Sequence, residues 1–273
     1  MRDKITTLSD AISQIASGSR LALGGNTVHR GPSAAVHEIV RQGITNLELV
    51  KTAGAYDVDL LIAAGAATSV SAGFVGFETL FGMAPSYRRQ IERGIVKSKE
   101  HACYTVIAGL RAAIQGVPFM PVAGMFGSDL LEARHFQTVE DPYTGETVVA
   151  VAALIPDVAI IHVQEADATG NARIIGSRFE DVLMAQAANR VIVTTERIVD
   201  GASFEAIPEI VAIPGFLVNC VVETPNGAWP CSCAGLYELD SEYLTSYVTA
   251  STNEFTIKQF IKDRILSLNP IMV

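Results

Sequence analysis

Two adjacent glycines near the start of the chain stand where a ligand could approach the backbone. Gly24 and Gly25 follow an apolar run that predicts a strand, and a helix is expected to begin at Pro32 or Ser33. Glycine has no side chain, so the backbone amides of such a loop can come close to a ligand. The positive end of the following helix would point toward the same place. The pattern therefore predicts a binding loop.

The loop matches neither of two common nucleotide-binding sequences. A dinucleotide-binding loop needs G-x-G-x-x-G, and a P-loop needs a lysine and a hydroxyl residue after its last glycine, whereas this chain has GGNTVHRGPS. Asn26 and the permanently charged Arg30 could instead hold a carboxylate or a thioester carbonyl. The residues also leave other roles open, because Gly24 and Gly25 suit a tight turn without a ligand, Asn26 suits a loop cap and Arg30 suits a salt bridge.

Two further segments carry polar groups after expected strands. Glu78 follows Gly76 and Phe77 at a strand end, where open α/β sheets bind ligands, although it could instead stabilise the start of a helix. Ser128 follows Gly127 and could contact a substrate or cap the next helix. The sequence around Ser128 lacks the second glycine of G-x-S-x-G, which argues against a serine hydrolase.

Composition narrows the class of protein. The chain has 273 residues, of which 49% are hydrophobic and 18% charged, so some apolar surface is expected in a subunit interface. Its net charge of −9 argues against nucleic-acid binding, which needs a basic face. No run of about 18 apolar residues and no signal-peptide core occur, so we expect a cytoplasmic protein without a membrane contact.

The four cysteines predict neither a disulfide scaffold nor a metal site. Four are too few for such a scaffold in a chain of this length, and Cys231 and Cys233 lack the two-residue gap usual for a zinc pair. Reduced and mostly buried thiols are expected. His162 lies in an apolar run, where a core histidine is more common than a catalytic base, and residues 167–171 are expected to form a structural turn.

Apolar runs alternate with segments of helical period, which is typical of parallel strands joined by crossover helices. The sequence therefore predicts an α/β fold with an open, mostly parallel sheet, formed as a single domain over residues 1–273 with an amphipathic C-terminal helix. The predicted strands are Leu21–Gly24, Leu47–Thr52, Ser69–Phe74, Phe119–Ala123, Val158–Val163 and Val191–Thr195. The predicted helices are Thr7–Ala16, Ser33–Gln42, Asp59–Ala66, Tyr87–Arg93, Cys103–Gln115, Glu180–Asn189 and Glu254–Leu268.

Four segments in order resemble the A-subunit form of family I coenzyme A (CoA) transferases, and most of all the glutaconate CoA-transferase branch. They are Gly24–Ala35, Phe74–Arg89, Pro118–Leu130 and His162–Asn171, within a resemblance that covers residues 5–240. The commoner family signature has phenylalanine and glycine where this chain has Asn26 and Arg30, so the pocket is expected to accept a different acid. The fold that this resemblance implies is a Rossmann-like sheet with flanking helices.

The resemblance implies that this chain is half of an enzyme. The family's nucleophile is a glutamate in a short Glu-Asn-Gly or Glu-x-Gly-type motif of the B (beta) subunit, and this chain has no such motif, so no catalytic residue is expected in it. Coenzyme A would be a co-substrate, with no permanently bound cofactor. The pocket residues that we expect are Gly25, Asn26, Arg30, Gly76, Phe77, Glu78, Gly127 and Ser128.

Two other functions stay open at the level of sequence. Similar chains also build CoA-ester hydrolases that open rings in steroid breakdown on the same two-subunit frame. A non-catalytic ligand-binding or regulatory module of the same fold would equally lack the nucleophile. Stable association with a B subunit separates the enzymes from the module, and transfer to an added acid or to water separates the two enzymes.

Overall fold

Alternating strands and helices build two sheets in the structure, a computed structural model that describes residues 2–267. The strands are β1 (Arg20–Leu23), β2 (Leu47–Gly54), β3 (Ala67–Val75), β4 (Lys97–Glu100), β5 (Phe119–Val122), β6 (Gln137–Glu140), β7 (Thr147–Ala152), β8 (Val158–Ala166), β9 (Ala172–Arg173), β10 (Arg190–Ile198) and β11 (Cys220–Glu223). The helices are α1 (Leu8–Ile12), α2 (Ser33–Arg41), α3 (Tyr56–Ala63), α4 (Glu78–Phe81), α5 (Pro85–Glu92), α6 (Cys103–Gln115), α7 (Leu130–Ala133), α8 (Asp181–Ala187), α9 (Ala202–Ala206), α10 (Ser241–Ser251) and α11 (Glu254–Ile261).

The main sheet has eight strands and is almost entirely parallel. Seven strands follow the order β11-β10-β8-β1-β2-β3-β4, each parallel to its neighbours, and the short β9 pairs antiparallel with β8. A separate antiparallel sheet has the order β5-β7-β6. The prediction of an open, mostly parallel α/β sheet is confirmed.

Apolar side chains cover the main sheet on both faces. One core cluster joins the sheet to α1, α2, α3, α10 and α11, and a second joins it to α6 and α8. Helix α6 also packs on the small sheet, where Ala108 contacts the cluster of Val122, Val149 and Val151. The central strand β8 is buried along its whole length, as expected for a parallel strand covered by helices.

Helix ends follow the expected local chemistry. Helix α6 has the predicted bounds and stops at Gly116, which adopts a left-handed conformation with φ of 67°. Helix α1 is shorter than predicted, but its predicted cap is present, since the Thr7 side chain accepts a hydrogen bond from the Asp10 amide at 3.1 Å. Helix α11 ends at Ile261 and continues as a π-helical turn over Lys262–Leu266, and the predicted end at Leu268 lies outside the described residues.

Several elements differ from the sequence predictions. The run at Phe119 forms a strand of the small antiparallel sheet and does not join the main sheet. Strand β4 and helix α10 are among the elements that were not predicted, and the Lys97–Glu100 segment has no apolar side chain that could have indicated a strand. Among the described residues, the structure contains no helix of the length and apolar character that a membrane crossing requires.

Candidate functional site

A cleft of about 660 Å³ opens at the carboxyl ends of β3 and β4. Its apolar lining includes Phe74, Met83 and Leu130, and its charged lining consists of Glu78 and Glu100. Ligands of parallel α/β sheets bind at this edge, where the strands end and loops begin. This cleft is therefore the candidate site, and the segments of the predicted pocket around Glu78 and Ser128 border it.

Glu78 joins the cleft to the glycine loop, residues 24–31. It follows β3 with a φ of 58°, a conformation that is uncommon for a residue with a side chain. Its carboxylate accepts a short hydrogen bond from the Thr27 hydroxyl, and its Oε1 lies 3.9 Å from His29 Nε2. The side chain remains 42% exposed. The predicted position of Glu78 at a strand end is confirmed, and its contact with a substrate stays a prediction.

The two residues before Glu78 serve the backbone and the core. The Gly76 amide donates to the Gly54 carbonyl at 2.8 Å, and a Cβ atom at Gly76 would lie 2.8 Å from Phe74 Cζ. Phe77 is fully buried, with its ring centroid 6.1 Å from that of Tyr247. Its apolar ring therefore packs in the core, and the predicted contact of Phe77 with a substrate stays a prediction.

The glycine loop uses its amides within the protein. The Gly25 amide donates to Asp181 Oδ1 at 2.8 Å, the Asn26 amide to the His29 carbonyl at 2.9 Å and the Arg30 amide to the Ser232 carbonyl at 2.7 Å. Gly25 has a φ of 73°, and a Cβ atom there would lie 2.5 Å from the Arg30 backbone. Glycine is therefore needed for the loop's own close packing, and these three amides are not available to a ligand.

The start of helix α2 is also occupied. We expected its positive end to face the ligand, but the Ala34 amide donates to the Gly227 carbonyl at 2.9 Å. The Ser33 hydroxyl donates to the Ala228 carbonyl at 2.9 Å. The loop that contains Gly227 thus covers this helix end and satisfies one of the amides that a helix leaves unpaired at its start.

Arg30 forms an internal ion pair. Its Nη1 donates to Asp181 Oδ2 at 2.5 Å and to the His162 carbonyl at 2.7 Å, and its Nη2 donates to the Ser177 carbonyl at 2.9 Å. The Arg30 side chain is 3% exposed and that of Asp181 is fully buried. We expected Arg30 to hold an acid directly, whereas the structure gives its guanidinium protein partners that fix the loop in place.

A second buried ion pair holds the other end of this loop. Lys51 is fully buried in β2, forms a short ion pair with Asp57 and donates to the Gly24 carbonyl at 2.7 Å. A lysine within the apolar run of β2 was the sequence signal for this pair, and sequence analysis did not use it. Because these ion pairs and hydrogen bonds occupy the backbone of the loop, we expect a ligand to contact side chains rather than the loop backbone.

Asn26 and Ser128 differ in the partners available to them. The structure records no hydrogen bond from the Asn26 side chain to another described residue, so its predicted pocket role stays open. The Ser128 hydroxyl accepts from the Leu130 amide at 3.2 Å in the turn before α7, whose N-cap residue is Asp129. Gly127 turns the chain with a φ of 81°. Contact of Gly127 or Ser128 with a substrate stays a prediction.

Glu100 and His101 line the cleft and were missed by sequence analysis. They follow a charged strand with no apolar periodicity, so only the sheet pairing of β4 with β3 reveals their place. Burial, with Arg134 nearby, lowers the pKa of His101 to about 4. Arg134 donates to its Nε2 at 3.2 Å, so the neutral ring carries its proton on Nδ1, which contacts Thr105 Oγ1 at 2.9 Å.

Other predicted polar groups are structural. His162 is fully buried with Nδ1 2.9 Å from Thr194 Oγ1 and Nε2 2.8 Å from Glu196 Oε1, which confirms a satisfied core histidine. Burial lowers its pKa. The Asp167 carboxylate accepts from the Asn171 amide at 3.0 Å and closes the predicted turn. Three of the four cysteines are buried thiols, and Cys103 is exposed.

Comparison with known proteins agrees with this fold. A family model described as coenzyme A transferase matches residues 5–224. The chain belongs to the coenzyme A transferase family, so the resemblance drawn from the sequence is confirmed.

Individual relatives place the chain more closely within the family. The A subunit of glutaconate CoA-transferase from Acidaminococcus fermentans is 36% identical over 283 residues, which cover 97% of this chain and 88% of that protein. The crystal structure of that enzyme superposes with a TM-score of 0.93 at 36% identity and covers 97% of this chain and 90% of that chain.

Two further relatives are similar along almost all of this chain. A protein of Archaeoglobus fulgidus is 36% identical over 271 residues, which cover 98% of this chain but 61% of that protein. A cholesterol ring-cleaving hydrolase subunit of Mycobacterium tuberculosis is 32% identical over 273 residues, which cover 96% of this chain and 92% of that protein. The relatives of this chain thus include a protein named as a CoA-transferase subunit and a protein named as a hydrolase subunit.

Proposed function

We propose that the chain is the A subunit of a heteromeric CoA-transferase, which moves coenzyme A between an acyl-CoA and a free carboxylic acid. The observation that carries this proposal is the 36% identity to the A subunit of glutaconate CoA-transferase over 97% of the chain. The cleft at the carboxyl edge of the sheet provides the place where the two substrates would meet a B subunit.

The chemistry follows from a carboxylate nucleophile on the B subunit. Its oxygen attacks the thioester carbonyl, the carbon–sulfur bond breaks and CoA leaves as a thiolate, which produces an acyl-glutamyl anhydride. The thiolate then attacks the glutamyl carbonyl and releases the first acid, which leaves a glutamyl-CoA thioester for the second acid to resolve by the reverse steps. Splitting one acyl exchange into such steps lowers each barrier, and the relay needs no metal or redox cofactor.

This chain contributes the wall of the pocket. The glycine loop, fixed by the Lys51 and Arg30 ion pairs, holds Thr27 against Glu78, and the Glu78 carboxylate reaches the cleft. The apolar lining excludes water from the anhydride, whose hydrolysis is the competing loss. The Asn26 side chain has no hydrogen bond to another described residue, so its amide is available to bind a carbonyl or carboxylate oxygen, although Asn26 does not itself line the cleft.

The experiment is a pull-down of the tagged chain from its own cell extract, followed by native mass spectrometry and a transfer assay on the complex. We expect a near-stoichiometric second chain that carries the Glu-Asn-Gly-type motif and transfer of CoA to an added acid. Recovery of this chain alone, without transfer, contradicts the proposal. Release of the acyl group to water, but to no added acid, would assign the hydrolase activity instead.

A pair of variants tests the part played by this chain. Glu78→Gln keeps the size of the side chain but removes its charge, and we expect at least a tenfold loss of kcat/KM in the complex. Glu140→Gln is the matched control, because Glu140 is an exposed residue of the small sheet and does not line the cleft. Equal activity of both variants would remove Glu78 from the pocket.

A further inference from the structure

The charges that line the cleft all have one sign. Glu78 and Glu100 are its charged lining residues, and no lysine or arginine of the described chain is among the residues that line it. His101 also lines the cleft, but its pKa of about 4 keeps the ring neutral at neutral pH. The surface that this chain offers to a substrate is therefore apolar with a negative charge.

The nearby cations are directed elsewhere. Lys99 precedes Glu100 in β4, and adjacent residues of a strand point to opposite faces. Lys99 Nζ lies 2.7 Å from Glu48 Oε1, and Arg20 Nε lies 3.1 Å from the same oxygen, so both cations are paired in a neighbouring cavity of about 280 Å³. Arg134 lines that second cavity and donates toward His101. These positive charges therefore line the second cavity and do not line the cleft.

A substrate with one carboxylate and a substrate with two differ in this environment. The carboxylate that receives CoA loses its charge when the thioester forms. A second carboxylate at the far end of the molecule stays charged, would lose water against Phe74, Met83 and Leu130, and would face Glu78 and Glu100. Glu100 is exposed and the Glu78 side chain is 42% exposed, so salt screens this repulsion in part and the effect should be largest at low ionic strength.

On the basis of the proposed function, we infer that this enzyme selects acids whose acyl group carries no second carboxylate, that is, monocarboxylic acids with an apolar body. Glu78 and Glu100 are then specificity residues that reject dicarboxylates. This choice differs from the dicarboxylates after which two of the chain's relatives are named, glutaconate and 3-oxoadipate. Rejection by a factor of ten corresponds to about 1.4 kcal/mol of binding free energy.

The test compares hexanoate with adipate, which have the same six carbons and differ by one carboxylate. With the purified complex and acetyl-CoA as donor, we expect kcat/KM for hexanoate to exceed that for adipate at least tenfold. In Glu100→Gln and in Glu78→Gln, this ratio should fall at least threefold, whereas Glu140→Gln should leave it unchanged. A ratio within one preparation cancels losses of folding or assembly.

Binding measured in parallel separates this inference from the proposed function. Calorimetry on the same complex gives the Kd of hexanoyl-CoA and of adipyl-CoA, with hexanoyl-CoA expected to bind at least tenfold more tightly. A tenfold preference without transfer to any acid supports the inference on the cleft and contradicts only the transferase activity. Equal or tighter binding of adipyl-CoA, or a ratio that both glutamine variants leave intact, overturns the inference whether or not transfer occurs.

Discussion

Replacing Arg30 by Met should destabilise the fold strongly, because Asp181 would remain buried without its cation. The two side chains are 3% and 0% exposed and lie 2.5 Å apart. Removing one partner of such a pair costs about 3–5 kcal/mol, since the remaining charge keeps its desolvation penalty. That is a large part of the 5–15 kcal/mol by which domains are typically stable. Loss of activity in this variant would therefore reflect folding before it reflects substrate binding.

Urea denaturation, followed by far-UV circular dichroism, measures this loss, and a double variant tests its cause. Arg30→Met with Asp181→Asn removes both charges but keeps an oxygen acceptor for the Gly25 amide. We expect the double variant to regain at least half of the stability lost by Arg30→Met. Arg173→Met, which removes an exposed partner of Glu165 at 3.2 Å, should cost much less. A loss below about 1 kcal/mol for Arg30→Met, or a double variant no more stable than the single one, would refute the reasoning.

Three further outcomes test the local structure. Gly25→Ala should lower the melting temperature far more than Gly43→Ala, because both glycines have positive φ but only the Cβ at Gly25 would meet the Arg30 backbone, at 2.5 Å. Burial raises the pKa of Asp59 from 3.8 to about 6, so the folded chain binds this proton more tightly than the unfolded chain, and stability should fall as pH rises through this window. Denaturation at pH 4 and 6 should show a decrease that is smaller in Asp59→Asn by about 2 kcal/mol. Thr7→Ala should cost about 1 kcal/mol in the same denaturation assay, and Thr7→Ser should retain most of it, because only the alanine removes the cap.

Sequence predicted the main sheet well because its signals are local. Buried strands such as β8 show continuous apolar runs, and α6 shows helical spacing that ends at a glycine. Strand β4 lacks this signal, since its four residues are Lys97, Ser98, Lys99 and Glu100, and it joins the sheet through backbone pairing with β3. The position of Glu100 in the cleft therefore could not be predicted from periodicity.

The sequence predicted the position of Glu78 but not the contacts of the other candidate residues. Glu78 was located correctly because a strand end can be recognised in the sequence. The ion pair of Arg30 could not be predicted, since its partner Asp181 is 151 residues away and no local pattern links the two. Phe77 was expected in the pocket because it adjoins Glu78, yet neighbours in a turn point in different directions, and its ring joins the core. Long-range pairing and the direction of side chains could not be predicted from the sequence.

The roles that we expect for residues around the cleft follow from where the buried charges lie. The ion pairs of Lys51 with Asp57 and of Arg30 with Asp181 fix the glycine loop and neutralise these two buried cations inside the protein. We therefore expect recognition to depend on Glu78 and Glu100, which line the cleft, and on Asn26 of the loop, whose side chain has no hydrogen bond to another described residue. Substitutions at the two buried cations should change stability more than substrate choice. Substitutions at Glu78, Glu100 and Asn26 should change substrate choice more than stability, because they leave both ion pairs in place.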